Sequence, residues 1–198
     1  VQSHKSFIGG GYKSYIRQSP NSVIVGGTLN TIDHYWHNKK VNTIIAGYGN
    51  TIRSNDTASS AGNYGGEYNT IGGGLYNEIT GSVDWSFIGG GSYNKIRTLK
   101  DLQYVTYSTI GGGQHNKISI SSYGGIFSGE KNSISASSHT VIIGGQENGI
   151  SNCDFSSILG GRNNRITGSG QPGEKTADVF IIGSNIELTN PSNNTTYT

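Results

Sequence analysis

Isoleucines recur along this chain in pairs eight residues apart, with glycines, an asparagine and mostly polar positions between the two members. In IGGGLYNEI, taking Ile71 as position 0 puts Gly74 at +3, Asn77 at +6 and Ile79 at +8. The same pattern starts at Ile8, Ile24, Ile44, Asn63, Ile88, Ile110, Ile126, Ile142 and Ile158. Across the ten copies, +3 is always Gly and +8 always Ile. Position +6 is Asn in nine, with Ser14 the exception, and position 0 is Ile in nine, with Asn63 the exception. Self-similarity of this strictness is the signature of a solenoid.

The copies at Ile110, Ile126, Ile142 and Ile158 are 16 residues apart, which sets the length of one coil. Short β-branched runs closed by small residues, such as SVIVGG, NTIIAG and HTVIIGG, predict brief strands ending in tight turns, and none is long enough for a helix. Positions 0 and +8 are then the inward residues of successive strands. Stacked at about 4.8 Å per coil, about ten coils make a rod of roughly 48 Å with a flattened two-strand cross-section and a dry Ile ladder inside. Gly at +3 suits a positive-φ corner or a close backbone approach. Asn at +6 suits a left-handed turn position, with stacked copies forming an Asn ladder along one edge. The copies at Asn63 and Ile71 overlap by sharing Ile71, so the phase breaks once.

The whole chain, 1–198, reads as a single all-β domain, a parallel β-solenoid with repeats over about 7–188. Insertions fall at about 33–42, 97–108 and 168–178, and the polar tail 189–198 is expected to fray. The main insertions follow the +8 Ile, so they emerge along one edge of the solenoid, the usual place for a binding face. Thirty-two glycines would suggest disorder, but regular Ile columns argue against it. So thin and glycine-rich a core points to oligomerisation as a natural remedy.

A formal charge of +2, with 13% charged residues and no basic stripe, argues against nucleic-acid binding. No stretch is long enough to span a membrane, so this fragment is not expected to insert directly into one. The absence of Met predicts a processed or trimmed chain. Cys153 has no partner for an intrachain disulfide.

The first insertion carries the richest chemistry. Tyr35, Trp36, His37 and Lys39 are the candidate ligand-binding residues, because the flat apolar faces and polar tips of Tyr35 and Trp36 suit a glycan or another surface ligand. The bland alternative is that the aromatics fold back and cap the roll. His34 and His37 lack further ligands at zinc-like spacing and read as solvated loop histidines; no metal or cofactor is expected. Tyr68, Tyr76 and Tyr93, counted at +5, predict a short structural aromatic ladder. Calcium-binding glycine-rich repeats need Asp within the repeat, yet none of the six Asp lies between positions 0 and +8. Column +7 mixes Thr31 and Thr51 with Glu78, Lys95 and Arg165, unlike an ice-binding threonine array. A phosphate loop would need a helix behind it. No catalytic triad or carboxylate pair is discernible, so the expectation is a non-enzyme, with a solenoid hydrolase the weakest alternative.

The repeated S-x-I-G-G-G-x-x-N-x-I, seen in SFIGGGSYNKI and STIGGGQHNKI, resembles the head repeats of trimeric autotransporter adhesins of the YadA type. Similar repeats occur in phage and virus fibre proteins. The resemblance covers about Phe7 to Leu188. It implies a left-handed parallel β-roll assembled as a homotrimer, extracellular on a cell or virion surface, that attaches to a glycan or protein receptor. The alternative is a purely structural segment of a fibre or extracellular filament, without a ligand of its own.

Overall fold

A computed structural model describes residues 5–34, 41–54, 66–98, 105–169, 176–191 and 195–198. The described residues contain no helix. Two long sheets dominate, one of eleven strands and one of ten, and every strand pair in them is parallel. This architecture is consistent with a β-solenoid. The first sheet is built mainly from two-residue strands such as Val23–Ile24, Thr70–Ile71 and Thr109–Ile110. The second uses slightly longer ones, such as Thr51–Ser54, Lys95–Arg97 and Lys117–Ser119.

The register puts like on like. Position 0 pairs with position 0, as in Ile24 with Ile44 and Ile110 with Ile126. Position +8 pairs with +8, as in Ile96 with Ile118 and Ile150 with Ile166. From Ile24 to Ile166 the members of both columns are at most 1% exposed, so the isoleucines face inward as their spacing predicts. A one-residue slip would turn each +8 Ile outward, which is why this register is strongly specified. The first turn is the open end, where Ile8 is exposed.

The phase break at Asn63 resolves without an extra turn. Ile44 pairs directly with Ile71, and Ile52 with Ile79. Asn63 itself lies outside the described residues; Asn69, the apparent +6 residue of the copy counted from it, instead stands two residues before Ile71, stacked on Asn42. The tail predicted to fray supplies the last strand of the first sheet, Thr195–Tyr197, paired with Val179–Ile181. The first insertion begins later than expected too, because Asp33 and His34 lie within the strand Thr31–His34 and are buried.

The interior is not apolar throughout. The left-handed backbone position is +5 rather than +6: Leu29, Tyr76, Tyr93, His115, Lys131, Glu147 and Asn163 all have φ between 51 and 58°. That turn swings the +6 Asn inward, where Asn30, Asn50, Asn77, Asn94, Asn116, Asn132, Asn148 and Asn164 are at most 1% exposed. Each amide is fully used. Asn116 Nδ2 donates to Gly112 O in its own turn at 3.0 Å and to Gly129 O in the next at 2.8 Å. Its Oδ1 accepts from the backbone N–H of Asn132 at 3.0 Å. The expected Asn ladder thus exists, but as a buried corner post that satisfies the carbonyls of two glycine-rich turns at once.

Gly at +3 meets both demands anticipated for it. Gly113 has φ +86°, and a Cβ there would lie 2.7 Å from Asn116 Nδ2 and inside van der Waals contact of Gly129 O. A second polar column runs down the opposite interior corner. Asn42 N–H donates to Ser22 Oγ, Asn69 N–H to Asn42 Oδ1, Ser86 N–H to Asn69 Oδ1 and Ser108 N–H to Ser86 Oγ.

Candidate functional site

Tyr35, Trp36, His37 and Lys39 lie outside the described residues. The structure describes only the base of that insertion. His34, expected to be solvated, is buried, and its Nε2 accepts from Asn42 Nδ2 at 3.0 Å. The same Asn42 amide donates to Gly66 O, so the His34 ring is part of the polar interior.

The outer face of the second sheet carries the densest surface chemistry among the described residues. Because +8 points inward, +7 and +9 point out. Arg17, Arg53, Lys95, Arg97, Lys117 and Arg165 occupy these columns. Arg17 grips Asp33 with two hydrogen bonds, Nε to Oδ1 at 2.7 Å and a terminal guanidinium nitrogen to Oδ2 at 2.6 Å. Arg53 approaches the same carboxylate at 4.0 Å. Lys95 pairs with Glu78 at 3.0 Å. Lys117 sits across from Lys95 in the register. Its ammonium is pushed below the usual lysine range, first by partial burial and then by repulsion from Arg97 and Lys95. Arg97 Nε is buried, with no hydrogen-bond partner among the described residues.

Two hollows flank this basic centre. One, of about 580 Å³, has a floor of Ser133, Ser135, Gly149 and Ser151 between Lys131 and Arg165. The other, of about 420 Å³, lies among Thr51, Arg53, Tyr76, Glu78, Tyr93 and Lys95. A row of rings borders it at +5. Tyr76 meets Tyr48 edge-on at 5.4 Å and stacks on Tyr93 at 5.5 Å, and Tyr93 stacks on His115 at 5.0 Å. The Tyr76 hydroxyl is driven above the usual phenol range, chiefly by its hydrogen bond with Tyr48.

A longer aromatic stack lies at another corner. Tyr68, Trp85, Tyr107, Tyr123, His139 and Phe155 follow one another with centroids 4.6–5.4 Å apart and planes within 12° of parallel. All six have left-handed backbone, with φ between 47 and 56°. Tyr68 belongs to this stack, not with Tyr76 and Tyr93, so the expected three-tyrosine ladder is really parts of two. The signal was present in the sequence, since each of the six stands three residues before a position-0 Ile. Counting only between positions 0 and +8 hides it. Because the rings cover one another's faces, the stack turns mainly its edges to solvent.

The outer face of the first sheet is apolar. Val25, Ile45, Phe127, Ile143, Leu159 and Ile182 stand one residue after a position-0 Ile and are exposed. Gly72, Gly89 and Gly111 fill the same column between them. The described residues hold no group of three or more His, Cys, Asp or Glu side chains able to hold a metal ion. Comparison of the sequence with protein-family models and with curated proteins finds no match to either.

Proposed function

We propose that this chain is a non-enzymatic attachment domain at the head of an extracellular fibre, resembling the heads of YadA-type adhesins. In this reading it is a left-handed β-roll of about ten coils that assembles as a homotrimer. It displays its polar face on a cell or virion surface and attaches there to a glycan or protein receptor. The observation that carries the reading is the difference between the two sheet faces. The first presents a row of exposed aliphatic and aromatic side chains suited to a like subunit. The second presents cations, rings and two hollows suited to a polar ligand. The insertion residues Tyr35, Trp36, His37 and Lys39 supply further contacts.

The test pairs mass measurement in solution with a glycan and matrix-protein array. The reading expects three copies per particle and saturable capture of at least one target. A monomer with no captured target overturns it. A second reading, a purely structural fibre segment, is favoured by one observation: the six-ring stack spends its aromatic faces on itself. That reading predicts an oligomer with no saturable ligand.

A further inference from the structure

We propose that Lys95, Arg97 and Lys117 form the anionic-group subsite of a groove for a linear acidic glycan, one bearing sulfate or carboxylate groups, running along the fibre axis on the second sheet. This rests on the attachment reading and names the ligand class of that face.

Charge balance along the face singles out this place. Arg17 and Arg53 share Asp33, Lys131 is flanked by Glu130 at 3.2 Å and Glu147 at 3.7 Å, and Arg165 stands opposite Glu187 in the register. At the centre three cations meet one described carboxylate, Glu78, which Lys95 already engages. Lys95 and Lys117 are neighbours on adjacent strands, about 4.8 Å apart in backbone, and Arg97 is two residues along from Lys95 on the same face, about 6.7 Å away. Like charges held this close favour a bound anion, and repulsion from Arg97 and Lys95 adds to partial burial, the larger cause, in lowering the Lys117 pKa.

The surroundings suit a sugar chain. Column +7 runs Thr51, Glu78, Lys95, Lys117, Ser133, Gly149, Arg165 over adjacent paired strands, a track of about 29 Å. Hydroxyl and glycine positions floor the hollow beyond Lys117, and the Tyr76–Tyr93 rings wall the one before Lys95. Cations grouped at the centre with hydroxyls beyond suit spaced acidic groups on a polyhydroxylated chain. A nucleic acid would require cations tracking phosphates continuously.

The experiment titrates the full chain with dextran sulfate, an unsulfated carboxylated polysaccharide, neutral dextran and single-stranded DNA at low and high salt. Saturable, salt-sensitive binding of at least one acidic polysaccharide is expected, without binding of neutral dextran. The sulfated and carboxylated arms identify which acid is recognised. Lys117→Gln and Arg97→Gln should each weaken binding about tenfold, the loss of one charge-assisted contact. Lys117→Arg should retain most of the binding, separating charge from folding, and Lys13→Gln, at an exposed lysine of the first turn outside column +7 and both hollows, should stay within about twofold of wild type.

Equal losses from Lys13→Gln and Lys117→Gln, a preference for DNA, or no saturable binding of either acidic polymer would overturn the site. Capture of a neutral glycan or a protein target, unaffected by Lys117→Gln, would remove this groove while leaving the attachment reading in place.

Discussion

At the residue scale, the protein turns on what a single asparagine does in each turn. The chain's own pattern marks +6 as invariant apart from Ser14, but turn chemistry alone suggests a left-handed Asn. The structure gives that conformation to +5, where residues as different as Leu29, Glu147 and Tyr93 accept it. The asparagine is kept for its amide, which holds three backbone groups: the Gly112 and Gly129 carbonyls and the Asn132 N–H. Asn116→Ala leaves two carbonyls and one N–H without that partner and should cost about 3–5 kcal/mol, read from the urea midpoint. Asn116→Asp carries a further signature. An ionised carboxylate there would face the carbonyls of Gly112 and Gly129, so its pKa in the folded state sits above the unfolded value. The variant should therefore lie nearest wild type at acid pH and lose stability as pH rises through the unfolded carboxylate range. A pH-independent deficit would show that the site adapts to the charge.

At the element scale, the strands were legible and the corners were not. Ile pairs eight apart predict two inward columns because a buried apolar side chain has few other ways to recur so strictly, and Ile24 to Ile166 obey. The interior column two residues before each position-0 Ile was opaque because Ser22, Asn42, Asn69 and Ser86 are ordinary loop residues until stacking joins them. The six-ring stack was hidden for a related reason: insertions of different length separate its members from the preceding +8 Ile. Its energetics can be tested at Tyr107, which stacks on Trp85 at 5.3 Å and on Tyr123 at 5.2 Å. Tyr107→Ala forfeits both contacts and should cost about 1–3 kcal/mol, at roughly 0.5–1.5 kcal/mol for each pair. Tyr107 has φ 54°, where a Cβ is itself unfavourable by about 1–2 kcal/mol, so Tyr107→Gly should be the milder of the two substitutions. Thermal melts showing the usual order, with Gly worse than Ala, would mean that the stack does not impose this backbone.

At the scale of the whole molecule, the two outer faces differ in chemistry, one apolar and the other carrying cations and hollows. The candidate ligand face was only partly readable beforehand. Column +7 was read for threonines, and its mixture of Glu78, Lys95 and Arg165 counted against ice binding without revealing the charge imbalance around Lys117. The apolar face was anticipated only as a need for oligomerisation. Phe127, Ile143, Leu159 and Ile182 now give it an address, each just past the end of one of four successive strands about 4.8 Å apart. Closed symmetry would bring the same row of each subunit toward a shared axis. Ile143 is 45% exposed in the single chain, so Ile143→Glu should cost the isolated subunit at most about 0.5 kcal/mol. In a trimer built on this face the same substitution gathers three carboxylates near the axis, in surroundings that cannot solvate them. The variant should therefore sediment as a monomer where the wild type sediments as a trimer, with β-content unchanged by circular dichroism. A variant that stays trimeric would move the interface off the first sheet, and a wild type already monomeric would remove the trimer itself.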